Sequence, residues 1–383
     1  MLSILLETTF MISLFYHKSI NMPMNRYIQI AKFLKKQGEP RFRYSQIFDF
    51  VFDKHIIDIG KMTNIPKRLR LQLKEKFPVM LSIKELKKIS TQETTKYLFE
   101  FEDQNRVEVV NMMAESKRHW NSLCISTQVG CSIGCKFCAT GKMGFIRNLS
   151  TDEITDQVLF FRLNAIPVDN ILFMGMGEPL LNPNLIESLK ILTSSELFNI
   201  GARKISISTI GIPKKLEEVT KEFPQINYAL SLHSPFEKER NKLIPYSKNT
   251  SISQLFDILD CYIQTSKRKV FVSYVLLRKL NDTPKHAEAL AKLIKSRGKN
   301  SYLYHVNLIP YNTTGPEDQY AASSTQQTAF FQNLLRKFNV NCTVRYSKGR
   351  FSEAACGQLH AGYISSIKQP TFVTESSQAI LNM

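Results

Sequence analysis

The chain has 383 residues, 43% apolar and 22% charged, enough for one large globular domain plus a small one. Its formal charge of +18 favours a polyanionic partner, and nucleic acid over a merely basic surface. Seven cysteines, an odd number in so long a chain, argue against a secreted disulfide framework and for a reducing, cytoplasmic setting.

Leu2 to Tyr16 is rich in Leu, Ile and Phe, but Glu7 interrupts it and no basic residue precedes it. It is too short for a membrane span and wrongly flanked for a signal peptide, so residues 1–23 are expected to be a non-native or flexible extension, with no membrane role. From Arg26 to about Lys88 the pattern is helical. Ile28, Ile30, Ala31, Phe33 and Leu34 precede a break at Gln37–Pro40, and a second apolar period runs from Tyr44 to Phe52. Ile65-Pro66 opens a basic segment, Lys67 to Lys74, whose leucines fall away from most of its charges. Residues 24–90 therefore read as a small helical accessory domain suited to RNA. A β-hairpin follows within a 91–120 linker: Tyr97–Phe101, a turn at Asp103–Asn105, and Val107–Val110. By position alone Glu108 is a solvent-facing strand residue.

From Leu123 strands and helices alternate. Cys124–Ser126 leads into a cysteine loop, and Ser150–Glu153 is a capping box. Strands are expected at 171–174, 204–208, 228–233, 270–277, 304–309 and 342–346. Helices are expected at 185–192, from Pro213, and at 252–264, 284–296 and 325–338. About six βα units predict an α/β fold, a partial, open (β/α)6 TIM-like barrel over 121–363, with a flexible tail at 364–383.

The cysteine loop carries Cys131, Cys135 and Cys138, separated by three and then two residues. Thiolates bind soft metals, and three on one tight loop can face a single centre. One reading is a four-iron cluster with one iron open to a small molecule. The other is zinc completed by a distant ligand, although zinc sites usually pair two CxxC units and only Cys135/Cys138 is such a pair. Barrel ligands collect at the carboxyl ends of strands. There stand the three cysteines, Gly175–Gly177 with Glu178, Ser208, Ser231, Leu232, His233 and Asn307. Cys356, in a loop after the last strand, and Cys124 could reach the same rim, whereas Cys261 and Cys342 read as small buried apolar residues.

The CxxxCxxC motif with Phe137 resembles that of radical S-adenosylmethionine (SAM) enzymes. Met174–Pro179 and Ala354–Leu359 extend the resemblance, from about Asn25 to Tyr363, to the RlmN/Cfr family of rRNA adenine methyltransferases. The resemblance implies one [4Fe-4S] cluster on Cys131, Cys135 and Cys138. It implies SAM held by Gly177, Glu178, Ser208, Ser231, Leu232, His233 and Asn307, and used twice per turnover. It implies Cys356 as an S-methylcysteine carrier, Cys124 as the thiol that resolves the adduct through a transient disulfide, and Glu108 as proton acceptor. The family acts on an adenosine in the peptidyl-transferase centre of 23S rRNA, at C8 with antibiotic resistance or at C2, the latter branch also on tRNA. Stretches 135–141, 152–159 and 303–309 are similar to the C8 branch, while Pro179 and Pro310 are similar to the C2 branch, and C8 is the expectation. A flavodoxin or ferredoxin reductant and a monomer are expected. The rival from another class is a zinc-stabilised RNA-binding protein without catalysis.

Overall fold

The computed structural model describes residues 25–113, 120–314, 318–346 and 355–359, so the expected extension 1–23, the tail 364–383 and Ala354 lie outside the described residues. Three helices come first: α1 (Arg26–Lys36), α2 (Phe42–Phe52) and α3 (Lys67–Lys76). Asn25 caps α1 by accepting from the Ile28 amide at 2.9 Å. Tyr27, Ile30, Ala31 and Leu34 recur at helical spacing and are buried. Their face meets α2 and the barrel, with the Tyr27 ring 5.3 Å from Phe48 and Phe52 4.7 Å from Phe198. In α3 Leu69 and Leu73 are buried, but Leu71 is 62% exposed beside the charges, so the expected separation of leucines from charges is incomplete.

The helical pattern stops at Lys76, short of the expected Lys88. Lys84–Ser90 is a strand, β1, paired antiparallel with β2 (Thr94–Glu100), which pairs in turn with β3 (Arg106–Met113). Only Leu86 and Ile89 are apolar in β1, so its own pattern carries no period and the pairing decides its conformation. Nor is the hairpin a linker. β3 pairs with β4 (Asn121–Ile125), and β1–β3 extend the barrel sheet as an antiparallel apron.

The remaining strands are β5 (Gln128–Gly130), β6 (Phe145–Asn148), β7 (Asn170–Phe173), β8 (Ile205–Thr209), β9 (Asn227–Ser231), β10 (Val270–Leu276), β11 (Tyr304–Pro310) and β12 (Asn341–Val344). They alternate with helices α4 (Ala139–Lys142), α5 (Thr151–Leu163), α6 (Leu185–Thr193), α7 (Pro213–Glu222), α8 (Glu237–Leu243), α9 (Ile252–Ser266), α10 (Pro284–Lys295) and α11 (Thr325–Lys337). The large sheet runs β1-β2-β3-β4-β7-β8-β9-β10-β11-β12, parallel from β4 onward, and β5–β6 form a separate ribbon around the cysteine loop. The parallel part thus holds the six expected units plus β12, in an open barrel. In β8, Ile205 and Ile207 are buried on the helix side while Ser206 and Ser208 face the interior, and β11 likewise sends His305, Asn307 and Ile309 inward.

The capping box forms as expected at the start of α5, with the Ser150 hydroxyl on the Glu153 amide and the Glu153 carboxylate on the Ser150 amide. The same helix locks the first three helices onto the barrel. Its Asp156 carboxylate, wholly buried, pairs with the Arg26 guanidinium and accepts from the Ser82 amide and hydroxyl at 2.6 and 2.7 Å, while Asp152 accepts from the Arg26 amide at 3.0 Å. Asp156→Ala would leave a guanidinium buried without its partner. We expect it to destabilise the fold by about 3 kcal/mol in urea denaturation, more than any exposed pair such as Lys221–Glu217. A loss below about 1 kcal/mol would mean that the junction does not depend on this pair.

Candidate active site

The strand β5 ends on Gly130, whose φ of +73° and whose hydrogen-side approach to the Gly144 carbonyl leave no space for a Cβ, which would lie 2.0 Å from that oxygen. The cysteine loop starts there. The Cys131 amide donates to the Gly144 carbonyl at 2.7 Å and the Lys136 amide to the Leu243 carbonyl of α8 at 3.0 Å. Cys131, Cys135 and Cys138 pack against one apolar cluster containing Ile133, Phe137, Ile210, Leu243 and Tyr311. All three thiols face a cavity of about 180 Å3 that also touches Gly177, Glu178, Ser208, Ser231, His233 and Cys356. Burial pushes Cys131 up to about 12 and raises Cys135 and Cys138 as well, so each stays protonated unless a metal takes its proton's place. Among the described residues no three Cys, His, Asp or Glu side chains converge tightly enough for a single ion. Three thiols lining one cavity fit the donor set of a [4Fe-4S] cluster with one iron left open.

The second wall is the turn after β7. Gly175 and Gly177 press so closely on the end of β4 that a Cβ would lie 2.6 Å from the Ile125 carbonyl and 2.6 Å from Gln128 respectively, and Gly177 has φ +98°. The Glu178 amide donates to the Gln128 side chain at 2.9 Å. The Glu178 carboxylate accepts from the Thr209 hydroxyl (2.6 Å), the Ile210 amide (3.0 Å) and the Leu180 amide (3.1 Å). Burial nevertheless raises its pKa to about 7, against those bonds and the Arg240 cation, which pull it down.

His233 closes β9 in a left-handed conformation, φ +60°. Its Nδ1 accepts from the Val275 amide at 3.0 Å, which leaves the Nε2 hydrogen for a ligand, and the Phe137 ring meets it edge-on at 4.9 Å. Burial and then Arg240 lower its pKa to about 3, so the ring is neutral at physiological pH. Ser208 and Ser231 hydroxyls sit 3.3 Å apart on adjacent strands. Leu232 is fully buried and offers the rim only its backbone, its amide already donating to the Ser273 carbonyl at 3.0 Å. Asn307 lies inside the barrel but lines a neighbouring cavity with Ser206, Ser273 and Arg345, and accepts from Thr343 at 3.2 Å.

Cys356 stands where two cavities meet. It borders the cysteine-lined cavity and also a cavity of about 290 Å3 that reaches Cys124, Ser122 and Trp120 along one face of β4. Its turn is held by the Ala139 amide on the Gly357 carbonyl (2.8 Å) and by the Asn312 side chain on the Cys356 carbonyl (3.2 Å). All seven cysteines are free, and Cys261, expected to be buried, is exposed, whereas Cys342 is buried as expected. Glu108 is wholly buried rather than solvent-facing, paired with Lys96 at 3.1 Å. It borders neither of these two cavities, lying two positions before Val110, which pairs with Cys124.

The sequence reading missed Thr209, Gln128 and Arg240. Thr209 and Gln128 could have been suspected from their strand-end positions. Arg240 could not, because it stands in the charged run Glu237–Lys242, where no element is expected from the sequence. Yet this residue is 1% exposed and donates to the Ile210 and Ser231 carbonyls at 2.6 and 3.3 Å. Among the described residues its Nε and Nη1 have no hydrogen-bond acceptor, which leaves a buried cation beside the thiols.

The thiols, Glu178 and His233 converge at the carboxyl ends of the parallel strands, and residues 125–294 match the Radical SAM superfamily. Residues 20–79 match the ribosomal RNA large subunit methyltransferase N-terminal domain. The chain is 42% identical over 341 residues to the ribosomal RNA large subunit methyltransferase Cfr of Bacillus velezensis, covering 88% of this chain and 97% of the relative. It is also 42% identical over 343 residues to the protein of that name from Staphylococcus aureus, covering 89% and 98%. A crystal structure of a radical SAM methyltransferase from Sphaerobacter thermophilus superposes with a TM-score of 0.81 at 36% identity, covering 88% of this chain and all of that one. The chain therefore belongs to the Cfr family of ribosomal RNA large subunit methyltransferases, enzymes that use SAM.

A carboxylate that accepts the ammonium of SAM must be ionised. With Glu178 near 7, SAM affinity of the cluster-loaded protein should fall about tenfold between pH 8 and pH 6, and Glu178→Gln should bind weakly at both. Equilibrium binding would read this, and a flat pH profile would count against Glu178 as the acceptor.

Proposed function

We propose that this enzyme methylates C8 of an adenosine in the peptidyl-transferase centre of 23S rRNA, with Cys356 as methyl carrier, conferring resistance to antibiotics that bind there. The observation that carries the reading is the place of Cys356, shared between the cavity lined by the three thiols and the cavity that reaches Cys124. A carrier has to face a methyl source on one side and an acceptor on the other, and Cys356 has one chamber on each.

Cys131, Cys135 and Cys138 hold a [4Fe-4S] cluster. Gly177, Glu178, Ser208, Ser231, Leu232 and His233 hold SAM, and the resemblance adds Asn307, which lines the neighbouring cavity on β11. When bound, cluster and SAM supply both the methyl group and a hydrogen-abstracting radical, and so two SAM molecules are consumed per turnover. The adenine carbon is electron-poor and does not attack a sulfonium methyl, whereas the Cys356 sulfur does. Once its S-methyl group has lost a hydrogen atom, that carbon bonds to C8 and joins protein to RNA. The resemblance makes Glu108 the acceptor of the C8 proton. Because Glu108 pairs with Lys96 and borders neither cavity, that proton has to be relayed to it, and the electrons of the C–H bond return to the ring. The adduct gives up its unpaired electron, which the oxidised cluster would accept. The Cys124 thiolate then attacks Cys356 sulfur, and the carbon–sulfur electron pair passes to the former methyl carbon, which takes up a proton to become the methyl group. A Cys124–Cys356 disulfide is left for an external thiol to reduce. Burial pushes Cys124 up to about 12, against the pull of Arg345, which keeps it unreactive until the adduct lies beside it.

The N-terminal helices, with Lys67, Arg68, Lys74 and Lys76 exposed on α3, suit contact with the RNA backbone. No described helix is long and apolar enough to cross a membrane. A monomer in the cytoplasm, reduced by a flavodoxin or ferredoxin, completes the proposal. The second reading is methylation at C2, on the likeness of Pro179 and Pro310 to that branch, with Pro310 at the cysteine-lined cavity.

Two measurements test this. Mass spectrometry of 23S rRNA from cells expressing the chain should show a new methyl on adenine C8, and a methyl on C2 alone would select the second reading. Cys356→Ala should lose rRNA methylation by at least about a thousandfold while the reduced protein still cleaves SAM. Methylation at the normal rate by that variant would sink the carrier mechanism.

A further inference from the structure

Resting on the reading of an adenine substrate, we propose that Trp120 is the platform on which the target base stacks, at the mouth of the cavity that holds Cys124 and Cys356. The chain has a single tryptophan, and it is 49% exposed. Tryptophan carries the largest apolar surface of any side chain, and leaving half of it in water is unfavourable unless something covers it. Side chains two apart on a strand share a face, so Ser122 and Cys124 point the same way along β4, and Trp120, immediately before that strand, lines this cavity with them. Met113 at 38% and Tyr346 at 61% exposure frame the same mouth, so the exposed apolar groups are gathered rather than scattered.

The chemistry of the walls selects the occupant. Among the described residues the interior is aliphatic, built by Val110, Met112, Leu172 and Ile309, with Arg345 as its one cation. Phosphate or a charged side chain would lose its hydration there with little return. A nucleobase has two apolar faces and a polar edge, and it slots between aliphatic walls and an aromatic plane. At about 290 Å3 the cavity is at the small end of ligand sites, which suits one base rather than a folded RNA segment. The net charge of +18 brings RNA to the surface, and the indole then supplies a place for one unstacked base opposite the carrier thiol.

The lone tryptophan is its own reporter. The full chain is titrated with a synthetic RNA hairpin carrying the target adenosine unpaired in its loop, and with the same hairpin abasic at that position. Binding is followed separately by anisotropy of an RNA label. The adenine hairpin should quench Trp120 emission, and the abasic hairpin should bind without quenching. Trp120→Ala should raise KM for the adenine hairpin about tenfold with a smaller change in kcat, and Trp120→Phe should recover most of the loss. SAM cleavage without RNA should be unchanged in both variants, which shows that they fold. Equal quenching by both hairpins, or an unchanged KM in Trp120→Ala, overturns the platform. Resistance of Trp120 emission to iodide before RNA is added overturns it too, since another part of the chain then covers the mouth. Methyl transfer to the hairpin, scored by mass spectrometry, tests the underlying reading separately. Transfer with equal quenching removes the platform alone, and adenine-specific quenching without transfer supports the platform and removes the carrier reading.

Discussion

The structure depends on one close approach of backbone to backbone, where the turn after β7 lies against the end of β4. The Gly175 amide donates to the Ile125 carbonyl at 3.0 Å, the Met176 amide to the Ser126 hydroxyl at 2.9 Å, and the Thr127 amide to the Met176 carbonyl at 2.8 Å. A side chain at Gly175 or Gly177 would force these strands apart. The Ser126 hydroxyl also donates to the Glu108 carbonyl at 2.8 Å, and Glu108 donates its amide to the Met176 sulfur at 3.4 Å. The carboxylate wall, the approach to the cysteine loop and the apron strand β3 are thus one hydrogen-bonded unit. Each such bond contributes about 1 kcal/mol net, but breaking one here would leave buried partners unsatisfied, which costs more than the bond itself.

Burial, more than any ion pair, sets the electrostatics of the site. It holds the thiols protonated, Glu178 close to neutrality and His233 uncharged, with Arg240 as a fixed cation among them. Such a site is poised for ligands that bring their own charge. A cluster bound there would displace the thiol protons, and an ammonium group beside Glu178 would restore its charge. The residues are not individually reactive, which suits a chamber that has to stay quiet until it is loaded.

Much of the fold was legible from pattern alone. The parallel strands, the helices after them and the capping box at Ser150 carry periodic or local signals that tertiary context only confirmed. The strand β1 was not legible, because KELKKIS has too few apolar residues to show a period and is a strand through pairing with β2. Glu108 was misread for a related reason. Alternation along one strand says which residues share a face, not whether that face meets water or another layer, and here Ser126 and Met176 cover it.

The sequence by itself determined the chemistry. Three cysteines at fixed spacing, the glycines before Glu178 and the two outlying thiols Cys124 and Cys356 are local facts of composition and order, and they name an enzyme family because few other arrangements use them together. Only the tertiary structure decided the arrangement of space. It set Cys356 between two chambers, left Asn307 in an adjoining cavity, buried Arg240 from a charged run, and exposed a lone tryptophan beside the cavity of Cys124 and Cys356. Some of these arrangements join residues more than a hundred positions apart, as with Cys124 and Cys356, and no local pattern can encode a distance that only the packed sheet creates.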